Sequence, residues 1–220
     1  MSLLLRYYNL NRMQLFVGIV LANLVIIWLS KFILINEIVF YNTYSEQLTY
    51  DRSLKLFEQL KSLSWISYVL TPIILLIKFT LVSFVLYIGI VFFNKQDKVS
   101  LGSVFKIVIA SEIVFVFAAL VKFLWFYVFA GNYDLNDIGF FYPLSLINIF
   151  KSEELARFWI YPLQTVNMFH LIYLLLLSYG LINLCKIEKP DSDKIVLLSY
   201  IPALVLWVAL LMFLTIDASL

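Results

Sequence analysis

Long apolar runs with few polar interruptions dominate the chain, and five of them are predicted to form helices over about 14–35, 65–93, 101–130, 159–185 and 195–216. Each is near or above the roughly 20 residues that cross about 30 Å of hydrocarbon as a helix. The polar breaks within them are few: Asn23 and Lys31 in the first, Lys78 beside Pro72 in the second, Lys106, Glu112 and Lys122 in the third, His170 in the fourth. Pro202 falls near the start of the fifth. Gly131, Asn132, Asp134, Asn136, Asp137 and Gly139 separate the third run from the fourth. No run alternates apolar and polar residues, which removes an outer-membrane barrel. The expected fold class is all-α, a polytopic membrane helical bundle forming one integral domain over residues 1–220.

Composition agrees with that pattern. Of 220 residues 63% are hydrophobic and 14% charged, with a mean hydropathy of +0.96, against roughly 45–50% apolar and about 25% charged in soluble domains. The lipid bilayer is therefore the first expected partner. A formal net charge of +2 argues against nucleic acid. The apolar stretch after Arg6 and Arg12 runs on past Ile33 without a small-residue cleavage site, so it reads as a retained first span.

Basic residues near the run ends set an expected sidedness. Arg6, Arg12, Lys95, Lys98, Lys186, Lys189 and Lys194 flank one side, whereas Arg52, Lys55, Lys61, Lys151 and Arg157 lie in longer segments on the other. By the positive-inside rule the N-terminus is cytoplasmic and the C-terminus outside, in an inner (plasma) membrane. Trp65, Trp125 and Trp159, with Tyr68, Tyr127, Tyr133, Tyr142 and Tyr161, read as an aromatic belt on the outer side. Lys31, Lys106 and Lys122 lie near span ends, where their stems can snorkel.

Two outer segments are predicted to form short interfacial helices. In 45–63, Leu56, Phe57, Leu60 and Leu63 share a face. In 142–158, Pro143 is placed in a first helical turn and Ser152 caps a second helix carrying Glu153 and Arg157 at i, i+4. These segments are either spacers or contact elements for a partner.

Lys78, Glu112 and His170 carry the candidate chemistry, because an ionisable group deep in a bilayer needs a partner or water. Counted from Phe93, Ser100 and Cys185 they lie 15, 12 and 15 residues in, roughly 18–22 Å at the helical rise. Ser67, Thr71, Lys78 and Gly89 form one stripe, expected to face protein, and Asn167, His170 and Ser178 share an arc of the fourth run. The candidate polar cluster is thus Lys78, Glu112, His170 and Asn167. It serves either as a structural ion pair with a hydrogen-bonded histidine or as a proton- or cation-exchanging site.

No catalytic, cofactor-binding or metal-ligating set is expected. One His and one Cys, Cys185, with no HExxH, phosphate loop, GxSxG or CxxC, leave hydrolase, kinase, redox and metalloprotease chemistry without parts. Asp134, Asp137, Glu153 and Glu154 read as solvated loop acids.

The stretch Tyr142-Pro143-Leu144-Ser145-Leu146-Ile147-Asn148 through Tyr161-Pro162-Leu163-Gln164-Thr165-Val166-Asn167-Met168-Phe169 to Tyr179-Gly180, with five spans and a cytoplasmic N-terminus, resembles bacterial members of the Yip family. That resemblance implies a five-helix, non-enzymatic membrane protein. The sequence has neither the long N-terminal region nor the acidic-hydrophobic-Tyr-Gly-Pro motif of the eukaryotic members, so GTPase binding is not carried over. The expected function is a membrane organiser or accessory subunit of an envelope complex, working through a membrane protein partner or as a homo-oligomer. The alternative is a small transporter or permease component lined by Lys78, Glu112 and His170.

Overall fold

The computed structural model describes residues 3–93 and 99–217, and those residues are all-helical apart from turns and one isolated bridge. Helix α1 (Leu3–Tyr8) leads to α2 (Arg12–Leu29). Asn11 starts α2 with a capping box: its side chain accepts from the Met13 N–H, and the Gln14 side chain accepts from the Asn11 N–H at 3.1 Å. A π-helical turn, Ser30–Leu34, extends α2. Asn36 then caps α3 (Glu37–Tyr44), accepting from the Val39 N–H at 2.9 Å, and α4 (Tyr50–Ser62) follows.

Helix α5 (Trp65–Phe93) runs unbroken through Pro72. Helices α6 (Leu101–Ser111) and α7 (Ile113–Val128) form one rod with an irregular joint at Glu112. Asp134 and Asp137 cap α8 (Leu135–Phe140) reciprocally. Two 3-10 turns, Leu146–Ile149 and Ser152–Glu154, lead to α9 (Arg157–Thr165) and α10 (Met168–Cys185). Helix α11 (Lys189–Ile195) continues through a π turn, Val196–Tyr200, into α12 (Ile201–Asp217). The wider π turn falls just before Pro202, whose missing N–H would otherwise break the regular ladder there.

Among the described residues five helical stretches are long and apolar enough to cross a membrane: Arg12–Leu34, Trp65–Phe93, Leu101–Val128, Met168–Cys185 and Lys189–Ile216. The third is the centre of the bundle. Val104, Ile107, Val108, Ile109 and Ala110 of α6 are fully buried, with α5 and α10 on either side. The outward faces of α5 and α12 stay apolar and exposed, with Ile74, Val91 and Phe92 on one and Val205, Leu206 and Phe213 on the other. That is the reverse of a water-soluble surface.

Small residues set the close contacts. A Cβ at Gly180 of α10 would collide with the Ile107 side chain of α6, and one at Gly89 of α5 would lie 2.7 Å from Ser199 Oγ. Beside Gly180 sits Tyr8 of α1, buried, with its hydroxyl 3.0 Å from Ser111 Oγ and donating to the Leu176 carbonyl at 2.9 Å.

Several expectations need correction. The fourth run is not one helix over 159–185: it stops at Thr165 and restarts at Met168. Between the two, Leu146 N–H bonds to the Val166 carbonyl at 3.0 Å and Met168 N–H to the Leu144 carbonyl at 3.1 Å, so the loop before α9 pairs with the break. The fifth helical stretch begins at Lys189 instead of 195, because Pro190 suits a first helical turn. The third ends at Val128.

Pro143 lies in a turn, outside any helix, followed by Leu144 at φ 53°. Ser152 lies inside the short 3-10 turn and caps nothing; Lys151 precedes the turn without a side-chain capping bond. Leu155 and Ala156 are extended, so Glu153 and Arg157 share no helix; the nearby ion pair is Lys151–Glu154 at 3.7 Å. Helices α1, α3 and α8 were not expected. Tyr142 packs against core side chains and does not join a surface belt. Lys95 and Lys98, counted above for sidedness, lie outside the described residues.

Candidate functional site

The joint between α6 and α7 presents Glu112 to the middle of the bundle. Its backbone stays near helical values at φ −62° and ψ −19°, and its N–H still reaches the Val108 and Ile109 carbonyls at 3.2 Å. The side chain is 3% exposed, and its Oε1 accepts from Lys78 Nζ of α5 at 2.6 Å. The Lys78 side chain is 37% exposed, so the pair joins an enclosed carboxylate to a lysine that reaches it from a partly open face of α5. A buried carboxylate with such a partner avoids the several kcal/mol cost of an unpaired charge.

Phe115, one turn beyond Glu112, links this pair to the fourth helical stretch. Lys78 Nζ stands 4.4 Å from its ring centroid, a cation–π contact. The same ring meets His170 edge-on at 4.9 Å and Tyr173 at 4.9 Å. His170 Nδ1 lies 3.1 Å from Asn167 Nδ2. Because an amide nitrogen only donates, Nδ1 is the acceptor, and the network assigns the neutral ring's proton to Nε2.

Asn167 is the cap of α10: its Oδ1 accepts from the His170 N–H at 2.8 Å, while Nδ2 also donates to the Gln164 carbonyl at 2.7 Å. The four candidate residues therefore form one chain of contacts, Glu112–Lys78–Phe115–His170–Asn167. His170 meets the ion pair only through the Phe115 ring.

Two polar atoms here have no hydrogen-bond partner among the described residues: Glu112 Oε2 and the Tyr173 hydroxyl, both buried. Outside the spans, burial and then the Glu112 charge push the Tyr7 and Tyr142 phenols up to about 12.

Phe115 and Tyr173 could have been read from the sequence, since each follows a candidate residue by one helical turn. Tyr8 and Ser111 could not, because nothing in the sequence places α1 against α6 and α10.

The stripe on α5 meets three different neighbours. Ser67 Oγ accepts from Lys31 Nζ at 2.8 Å, Lys78 takes Glu112, and Gly89 lies against Ser199. Ser178, on the arc with Asn167 and His170, donates to Asp193 Oδ1 at 2.5 Å, and Ser192 donates to the Ser178 carbonyl at 2.9 Å. Those bonds tie α10 to α11.

Among the described residues no three His, Cys, Asp or Glu side chains converge in a metal-binding arrangement. Asp134 and Asp137 are engaged in their mutual cap, and Glu154 is exposed with Lys151. Comparison of the chain with protein-family models, curated proteins and solved structures found no match.

Proposed function

We propose that the chain is a non-enzymatic multi-pass membrane protein that works through partners, as an organiser or an accessory subunit of an envelope complex in the inner membrane. Its N-terminus is cytoplasmic and its C-terminus outside. The observation that carries this reading is the mid-span ion pair: Lys78 and Glu112 are joined at 2.6 Å against Phe115, an arrangement that fastens spans two, three and four together. What the bundle then offers is its far-end layer of short helices. Helix α4 and the Leu63 that ends it expose Leu56, Leu60 and Leu63 beside the polar Arg52, Lys55 and Lys61, as a helix lying in the interface does. The Yip-type resemblance belongs to this proposal for its layout only.

A second reading keeps the transporter class open. Among the described residues Glu112 Oε2 and the Tyr173 hydroxyl are buried without hydrogen-bond partners, and the backbone is extended at Asn167, beside His170. Unwound backbone facing polar groups is how transporters build ion sites.

One set of variants separates the two. Under the first reading Glu112→Gln and Lys78→Met each lower accumulation, by about 3–5 kcal/mol of stability, and the double variant recovers most of it. Photo-crosslinkers at Leu56 and Leu60 trap a discrete membrane partner. Normal accumulation of Glu112→Gln, together with an altered proton or cation flux in vesicles and no trapped partner, overturns that reading in favour of transport.

A further inference from the structure

At the far end of the bundle an apolar groove of about 290 Å³ runs between α2 and α7, with Ile27 and Ala119 on its walls and Lys31 and Lys122 beside them. The volume lies near the lower end of small-molecule pockets, roughly 300–1,000 Å³. Two lysines, both near the ends of their helical stretches, thus line one apolar groove.

The two lysines are in different states. Lys31 stands in the π turn that extends α2, and a π turn inside a helix often marks a functional position. Its Nζ donates to Ser67 Oγ at 2.8 Å and to the Ser64 carbonyl at 3.2 Å, 5.5 Å from the Tyr68 ring centroid. An ammonium has three donors, so this one is held in place with one donor left. Lys122, half-buried on the opposite wall, has no hydrogen-bond or ion-pair partner among the described residues.

No carboxylate answers either charge. The ion pairs among the described residues are Lys78–Glu112 and Lys151–Glu154. The acidic residues that follow or precede the groove's lining in sequence are Glu37, in the first turn of α3 two residues after Ile35 and in no ion pair among the described residues, and the aspartates of the α8 cap before Ile138, which are bonded to each other's backbone. The groove thus combines an apolar floor with uncompensated positive charge at the level a lysine stem reaches from a span end.

We propose that this groove holds one acidic phospholipid of the surrounding leaflet, with an acyl chain along Ile27 and Ala119 and the phosphate between the Lys31 and Lys122 ammonium groups. Charge complementarity selects the occupant. A phosphate supplies acceptors to the free donors, whereas a zwitterionic lipid brings its own cation to a site that already has two. The assignment depends on the chain lying in a bilayer and not on the partner reading above.

Native mass spectrometry of the full chain, released from nanodiscs of equimolar phosphatidylglycerol and phosphatidylcholine with matched acyl chains, tests it. The expected result is one retained phosphatidylglycerol, enriched over phosphatidylcholine. Lys31→Gln and Lys122→Gln each reduce that retention about fivefold, the scale of one basic residue near an anionic lipid, and Lys106→Gln leaves it unchanged. Ala119→Phe, which fills the groove without altering charge, abolishes retention of either lipid. Equal retention of the two lipids by the unaltered chain, a second copy of the chain there instead of lipid, or undiminished phosphatidylglycerol binding in the Lys31→Gln/Lys122→Gln double variant would overturn the proposal. The unaltered chain's preference decides the matter even where a variant fails to accumulate.

Discussion

Two glycines in helices of similar length face opposite surroundings, and the difference sets opposite signs for the same substitution. At Gly180 an added Cβ would collide with Ile107 and lie 3.0 Å from Tyr8 Cε1, whereas at Gly18 nothing lies within 4 Å. Gly180→Ala must push α10 away from α6 and disturb the seat of Tyr8, whose hydroxyl bridges Ser111 and Leu176. The expected cost is about 1–3 kcal/mol, the range for overpacking a filled core. Gly18→Ala touches nothing and removes backbone freedom from the unfolded chain, for a gain of roughly 0.5–1 kcal/mol. Thermal midpoints in one mild detergent check both, and a fall in both or a rise in both would contradict the packing described.

At the scale of helices, what could be read in advance was what apolar length decides. The five stretches long and apolar enough to cross a membrane were visible because a run of about 20 apolar residues has few other uses, and counting depth along two helices put Lys78 and Glu112 in one layer. Interruptions were harder. The apolar profile across Trp159 to Cys185 dips at Gln164, Thr165 and Asn167, a signal that a single span over 159–185 passes over; what fixes the break is Asn167, whose amide is at once the cap of α10 and the anchor of the end of α9. The small helices α1 and α8 are six residues each, too short to show a period, and α1 is held by a tertiary contact of Tyr8 that no local pattern contains.

The Asn167 joint can be tested directly. Asn167→Ser keeps a side-chain acceptor for the His170 N–H, while Asn167→Ala removes it. The alanine variant should be about 1 kcal/mol less stable than the serine variant, the usual worth of an N-cap, and both should fall below the parent because the bond to Gln164 is lost. Equal stability of alanine and parent in detergent melts would mean that α9 and α10 are not joined through this residue.

For the whole molecule, the number of crossings carries more consequence than any one contact. The five apolar helices are joined by connections that alternate between two ends. Arg12 beside Gly102, and the tie between Ser178 and Ser192, mark one end; α3, α4, α8 and α9 gather at the other. An odd number of crossings puts the two termini on opposite sides, and the end with Arg12, Lys186, Lys189 and Lys194 is the one the positive-inside rule assigns to the cytoplasm.

A green fluorescent protein fused after residue 217 should therefore stay dark, and alkaline phosphatase at the same point should be active. Truncated fusions after residue 186, beyond the fourth crossing, should reverse both signals. Fluorescence at residue 217 with phosphatase activity at residue 186 would invert the whole arrangement, moving the α4 face and the Lys31–Lys122 groove to the cytoplasmic leaflet. The same reporter on both sides of the fifth stretch would mean that 189–216 does not cross, leaving the exposed apolar face of α12 for a protein partner to cover.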